Sequence, residues 1–170
     1  ANQGLDVAQY NLALKYSKGD GIQLNYKESI RLYGMASDQG HPDSTHNLAF
    51  LFQEGLGTGI NIDDALRLYR IAADLGFADS YYNMSYIYSN GMGVDTDFKK
   101  SVKLLKQCVK EINAPICLDG LSWHYSNASG VRQNDEEAVR LLLLAVEQGY
   151  TRSEGNLAWH YQNGYGVDKD

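Results

Sequence analysis

Residues 44–76 read STHNLAFLFQEGLGTGINIDDALRLYRIAADLG, two helical patterns divided by a glycine turn, and the unit recurs along the chain. Tyr16, Phe52, Tyr88, Tyr125 and Tyr161 lie in chain order 36, 36, 37 and 36 residues apart, and aligning them brings the neighbouring columns into register. Four residues before each aromatic stands Leu12, Leu48, Met84, Leu121 or Leu157, followed by a small residue, Ala13, Ala49, Ser85, Ser122 or Ala158. One turn further back are Ala8, Ser44, Ser80, Cys117 and Ser153. Positions i, i+4 and i+8 share a helical face, so these columns predict the buried seam of five first helices.

Each aromatic is followed by a turn: Gly19-Asp-Gly21, Gly55-Leu-Gly57, Gly91-Met-Gly93, Gly164-Tyr-Gly166 and, in the fourth unit, Ala128-Ser-Gly130. Recurrence at a fixed period, without a following Lys-Ser/Thr, makes these helix terminators and not phosphate cradles. Asn25, Asn61, Asp97, Asn134 and Asp170 then stand where the next helix needs an N-cap. Glu28, Asp64 and Glu137 follow three positions on, the two glutamates placed to complete capping boxes. Second helices carry one apolar face each: Ile30-Leu32-Tyr33-Ala36, Leu66-Leu68-Tyr69-Ala72, Val102-Leu104-Leu105-Cys108 and Val139-Leu141-Leu142-Ala145.

Neither helix of a pair can bury its face alone, so the units must stack. The expected fold is all-α, an α-solenoid (right-handed superhelix) of tandem helix-turn-helix repeats: one array over 1–170, with units at about 7–42, 43–78, 79–115 and 116–150 and a half repeat at 151–170. The pattern is entered and left in mid-unit, so the sequence reads as a piece of a longer array, and the lack of a signal segment carries no information. The open terminal helices leave apolar surface through which the array can self-associate.

The combined pattern, small-x-x-x-Leu-small-x-x-Tyr, then G-x-G-Val, then Asn/Asp-x-x-x-Ala/Ser, then Tyr-x-x-Ala and Gly, resembles the Sel1-like repeat (SLR) family, which is similar to the tetratricopeptide fold. The resemblance covers Val7 to Asp170. It implies an adaptor: members include the lumenal subunit of the endoplasmic-reticulum degradation complex, chitin-synthase activators and bacterial periplasmic or secreted proteins. It implies binding without specifying a partner.

Cys117 occupies a small column of the fourth first helix, and Cys108 the column otherwise held by Ala36, Ala72 and Ala145. In a stacked array these columns face each other, close enough for a disulfide; two buried free thiols are the alternative. A bridge implies an oxidising compartment: periplasm, exterior or endoplasmic-reticulum lumen. The pair also resembles the cysteine-rich secreted branch of the family. That resemblance implies an alternative function, a cell-wall ligand binder or weak β-lactamase.

With the seam facing inward, a 100° step per residue places positions 10, 11, 14, 17 and 18 of each unit on the opposite, concave side. One column there reads Leu14, Phe50, Tyr86, Trp123 and Trp159, and the adjacent one Tyr10, His46 and Tyr82. Outward aromatics in a row are the residue types of binding hot spots. Beside them run Asn11, Asn47, Asn83 and Asn156, interrupted by Gly120; asparagine offers both donor and acceptor to a peptide backbone or glycan, or bonds within its own repeat. These residues are the expected binding site for a protein or peptide partner.

His124 and His160 sit one repeat apart, about 10 Å, too far to share one ion, so a packing or surface role is expected and no metal or other cofactor. Asn83-Met-Ser85 and Asn127-Ala-Ser129 match the glycosylation sequon, a motif short enough to occur by chance. No nucleophile, base and acid recur in a recognisable arrangement, so no enzymatic activity is expected. The net charge of −6 argues against nucleic acid as partner. The longest apolar stretch, Leu141 to Val146, is far too short to enter a membrane.

Overall fold

A computed structural model describes residues 4–167. Those residues form nine α-helices and no strand: α1 (Leu5–Lys18), α2 (Tyr26–Ser37), α3 (Pro42–Glu54), α4 (Ile62–Asp74), α5 (Ala78–Asn90), α6 (Phe98–Glu111), α7 (Pro115–Ser126), α8 (Asp135–Glu147) and α9 (Thr151–Asn163). Odd-numbered helices are the first helices of the repeats and even-numbered ones the second. The cap expected at Asp170 lies outside the described residues.

The second helices start as their sequence requires. Asn25, Asn61, Asp97 and Asn134 each accept, through the side chain, from the backbone N–H three residues on. The reciprocal half of the capping box does not form. The backbone N–H groups of Asn25 and Asn134 are already donated to the carbonyls of Tyr16 and Tyr125, and the glutamates bind arginines instead, Glu28 to Arg31 and Glu137 to Arg140.

The protein divides into two compact units, Ala1–Ser80 and Tyr81–Asp170. In the first, α3 packs between α2 and α4, and the core is Leu32, Tyr33, Leu48, Leu51, Leu68 and Tyr69 closed by alanines. Small residues let helices approach: Ser29 Oγ donates to the Ala13 carbonyl at 2.9 Å. In the second unit α7 packs between α6 and α8 over Val102, Leu104, Leu105, Leu118, Leu121, Leu141 and Leu142. Cys108 and Cys117, both fully buried, are joined by a disulfide between α6 and α7, with Cα atoms 6.2 Å apart. The columns that carry them do face each other.

The expected seam is corrected at both ends. Leu48, Met84 and Leu121 are buried, but Leu12 is 41% exposed, Ala8 and Ala158 are exposed and Leu157 is half-buried. Among the described residues no helix precedes α1 or follows α9 to cover them. Elsewhere the buried face is wider than expected, because α3 lies between α2 and α4 and α7 between α6 and α8; it takes in Thr45, Leu51, Leu118 and His124, and Tyr81, Ile87 and His160 are buried as well.

Candidate binding face of α5, α7 and α9

Among the large apolar residues exposed in the second unit is a row of three aromatics, Tyr86, Trp123 and Trp159, one per first helix and each 48–50% exposed. The two indoles are held in the same way. Trp123 meets the next residue, His124, edge-on at 5.1 Å, and Trp159 meets His160 at 5.2 Å, both at 87°. Each imidazole is locked in turn. His124 donates from Nδ1 to the Ser129 carbonyl at 2.7 Å and shares Nε2 with Ser101 Oγ at 2.8 Å; His160 donates to the Tyr165 carbonyl at 3.0 Å and shares Nε2 with Ser126 Oγ at 3.0 Å. Both histidines are buried. Burial pushes the His124 imidazole below its usual range, with the Ser129 carbonyl opposing.

A second device is one that column alignment did not single out. Asn90, Asn127 and Asn163, four residues after each aromatic, donate to the carbonyls of Tyr86, Trp123 and Trp159 at 2.7–2.8 Å. These bonds add a side-chain donor to carbonyls of the last helical turn; that of Trp123 also accepts the Asn127 backbone N–H at 3.0 Å. Their one-repeat spacing was the available signal.

Beside the aromatic row lies a cavity of about 410 Å³, bounded by Tyr82 and Tyr86 from α5, Asp119, Gly120 and Trp123 from α7, and Arg152 and Asn156 from α9. Asp119 is 4% exposed. Its Oδ1 accepts from Ser153 Oγ and from Asn156 Nδ2, both at 2.8 Å. Its Oδ2 faces Arg152 Nε at 3.6 Å, and Arg152 Nη1 stands 3.5 Å from the Tyr82 hydroxyl. A smaller cavity of about 220 Å³ lies between Trp123 and Trp159 and shares Asn156 as a wall.

Of the residues expected to bind, Tyr82, Tyr86, Trp123 and Asn156 are therefore brought to one cavity, with Trp159 at its neighbour. Asn83 is half-buried and lines neither. In the first unit Asn11 and Phe50 are exposed and Leu14 is half-buried, whereas three of the expected residues turn to the packing. Tyr10 stacks on His41 at 4.9 Å, Asn47 donates to the Tyr33 hydroxyl at 3.3 Å, and His46 lies against Tyr69 and Phe77 at 5.2 and 4.6 Å. Positions 10 and 46 sit at the margin of the wider buried face, which draws their rings inward. Asp119 and Arg152 were missed because charged residues on helices are ordinarily a solvated surface. Among the described residues no group of three His, Cys, Asp or Glu is arranged to hold a metal ion. No described helix is long and apolar enough to cross a membrane.

Comparison with solved structures bears on the fold. A Sel1 repeat protein from Oxalobacter formigenes is 24% identical over 99% of this chain and 69% of its own, with a TM-score of 0.81. A protective antigen present in uropathogenic Escherichia coli strains and displaying an SLR fold is 26% identical over the whole of this chain, with a TM-score of 0.84, and this chain spans 36% of it. An immunity protein from Pseudomonas aeruginosa is 26% identical over 94% of this chain and 58% of its own, with a TM-score of 0.67. No curated protein matches the sequence. The Sel1 repeat model matches residues 6–41, 42–77, 78–107, 116–150 and 152–170, the first four in step with the helix pairs described above and the fifth with α9, and the chain belongs to the Sel1 repeat family.

Proposed function

We propose that this protein is a non-catalytic scaffold that holds an extended segment of a partner protein against the face of α5, α7 and α9. Sel1 repeats are commonly protein–protein interaction modules. The observation that carries the reading is the row Tyr86, Trp123 and Trp159: half-exposed and evenly repeated, its two indoles fixed in one pose by buried histidines. Rigid aromatics supply contact area at low conformational cost, and a folded protein has no packing reason to leave three of them in line. Binding is favoured over hydrolysis because Ser101, the hydroxyl that His124 Nε2 engages, is fully buried, out of a substrate's reach. The acidic net charge supports a protein or peptide partner over nucleic acid. The buried α6–α7 disulfide supports residence in an oxidising compartment, the periplasm, exterior or endoplasmic-reticulum lumen.

The sequence has two tryptophans, both on this face, so intrinsic fluorescence reports the site directly. Peptides selected from a random display library on the intact protein should shift indole emission, and Trp123→Phe and Trp159→Phe should divide the signal. Removing both indoles as alanine should abolish selection while far-ultraviolet circular dichroism is kept. Undiminished selection by that variant overturns the reading. The disulfide gives one reason for a second reading, a cell-wall ligand binder or weak β-lactamase. Turnover of a chromogenic β-lactam by the intact protein, lost in Cys108→Ala, would favour it.

A further inference from the structure

Three departures from the repeat converge on the cavity between α5, α7 and α9. The column that holds Tyr10, His46 and Tyr82 holds Asp119 in the fourth unit and Gly155 in the fifth; the asparagine column holds Gly120; and the column of Val7, Asp43, Asp79 and Ile116, which keeps no one residue type, holds Arg152. The other units build the same helix pair without these residues, so the stack does not require them. Local exceptions to an otherwise consistent pattern mark functional or strained positions.

Each departure has a definite physical effect. A Cβ at Gly120 would approach Leu105 Cδ2 to 3.2 Å and the Tyr82 ring to 3.3 Å, so the missing side chain keeps Tyr82 in place and the cavity open. Asp119 is a buried carboxylate, unfavourable unless paired and hydrogen-bonded. Ser153 and Asn156 saturate one oxygen, and the other faces Arg152 Nε. Arg152 is the one Lys or Arg among the described residues lining the cavity, and its side chain is 60% exposed. The contacts with Asp119 and Tyr82 engage Nε and Nη1, and the Tyr150 hydroxyl also approaches the guanidinium, which leaves part of its five N–H donors for a ligand.

We propose that this cavity recognises a carboxylate on the bound segment, gripped by Arg152, next to an apolar or aromatic side chain laid on Trp123 and Tyr86; the proposal rests on the peptide-binding reading of this face. Asp119 is a positioning residue, holding the guanidinium from below. A carboxylate fits better than a phosphate, because one cation with a buried anion 3.6 Å away offers little to a dianion. The carboxylate can belong to an Asp or Glu side group or to the free C-terminus of the segment, and the two sources are separable.

The test uses two random peptide libraries on the intact protein, one displayed with free C-termini and one with blocked C-termini. Acidic residues enriched beside an aromatic in both libraries, or selection confined to free C-termini, supports the clamp and identifies the source. Arg152→Gln, a change at an exposed side chain, should weaken the selected peptides about tenfold or more, and their Asn, Gln or amidated counterparts hardly at all. Peptides that need Trp123 but show no carboxylate preference, or whose preference survives Arg152→Gln, overturn the clamp and leave the binding face standing. If no selected peptide needs Trp123 or Trp159, the binding face falls and the clamp with it.

Discussion

His46 and Ser80 share a hydrogen bond of 2.9 Å from Nδ1 to Oγ, beneath the rings of Tyr69 and Phe77. Burial lowers the imidazole from 6.5 to about 4, against a weaker opposing pull from Asp43. The unfolded protein takes up this proton near pH 6.5 and the folded protein near 4, so in between the unfolded state binds more protons. The contribution of His46 is complete above pH 6.5 and lost as pH falls to about 4. It amounts to roughly 3 kcal/mol, and His124 is shifted in the same direction. Urea midpoints should fall between pH 7 and 4.5, and His46→Phe should fall less steeply. An equal slope for the two proteins contradicts the assignment.

The disulfide between Cys108 and Cys117 closes a sequence separation of nine residues, around a turn in which Asn113 adopts a positive φ of 55°. Loop-closure entropy for so short a loop gives about 2–3 kcal/mol of stabilisation. Reduction at neutral pH should lower the unfolding free energy from urea titration by that amount, with the effect absent from a Cys108→Ala, Cys117→Ala double variant. A midpoint indifferent to reductant would show that helix packing alone holds α6 on α7.

The repeat made much of this architecture legible. A fixed spacing of Tyr16, Phe52, Tyr88, Tyr125 and Tyr161 aligned every turn, and the caps at Asn25, Asn61, Asp97 and Asn134 marked where second helices begin. The cysteine pair was legible because two small columns must approach. What remained hidden depends on which neighbours a position meets. Leu12 carries the same letter as Leu48 yet lacks a covering helix, and His46 shares a column with Tyr82 yet turns inward. Asp119 and Arg152 were invisible because a pattern search rewards agreement between units, and they are informative by disagreeing.

Gly130 and Ala128 make opposite predictions within one turn. Gly130 has φ of 78°, and a Cβ there would overlap the Phe98 backbone at the start of α6. Gly130→Ala should therefore cost about 2–4 kcal/mol, from left-handed strain plus overpacking. Ala128 stands where the other units have glycine and has φ of 53°. Ala128→Gly should stabilise by about 0.5–1 kcal/mol, the strain relieved less the entropy that glycine adds to the unfolded state. Thermal unfolding of both variants decides this. A destabilised Ala128→Gly would show that the alanine methyl group is packed.

His124 replaces, in the fourth unit, the Leu51 and Ile87 of earlier units, so packing alone does not explain it. The imidazole makes a tie that those side chains cannot: the His124 Nδ1 proton reaches the Ser129 carbonyl at 2.7 Å and holds the following turn to the end of α7, as His160 reaches the Tyr165 carbonyl at 3.0 Å before a turn that keeps both glycines. His124→Leu keeps the apolar contacts and removes that tie, leaving the carbonyl and a buried serine cluster short of a partner. The expected cost is about 1–3 kcal/mol. Two further changes distinguish a turn anchor from a core filler. Proteolysis should become faster at residues 127–131, and the Trp123 emission should move to longer wavelength as the indole loses its edge-on support. A variant as stable and as resistant to protease as the parent would make His124 a packing residue, and the fixed pose of Trp123 would then need another source.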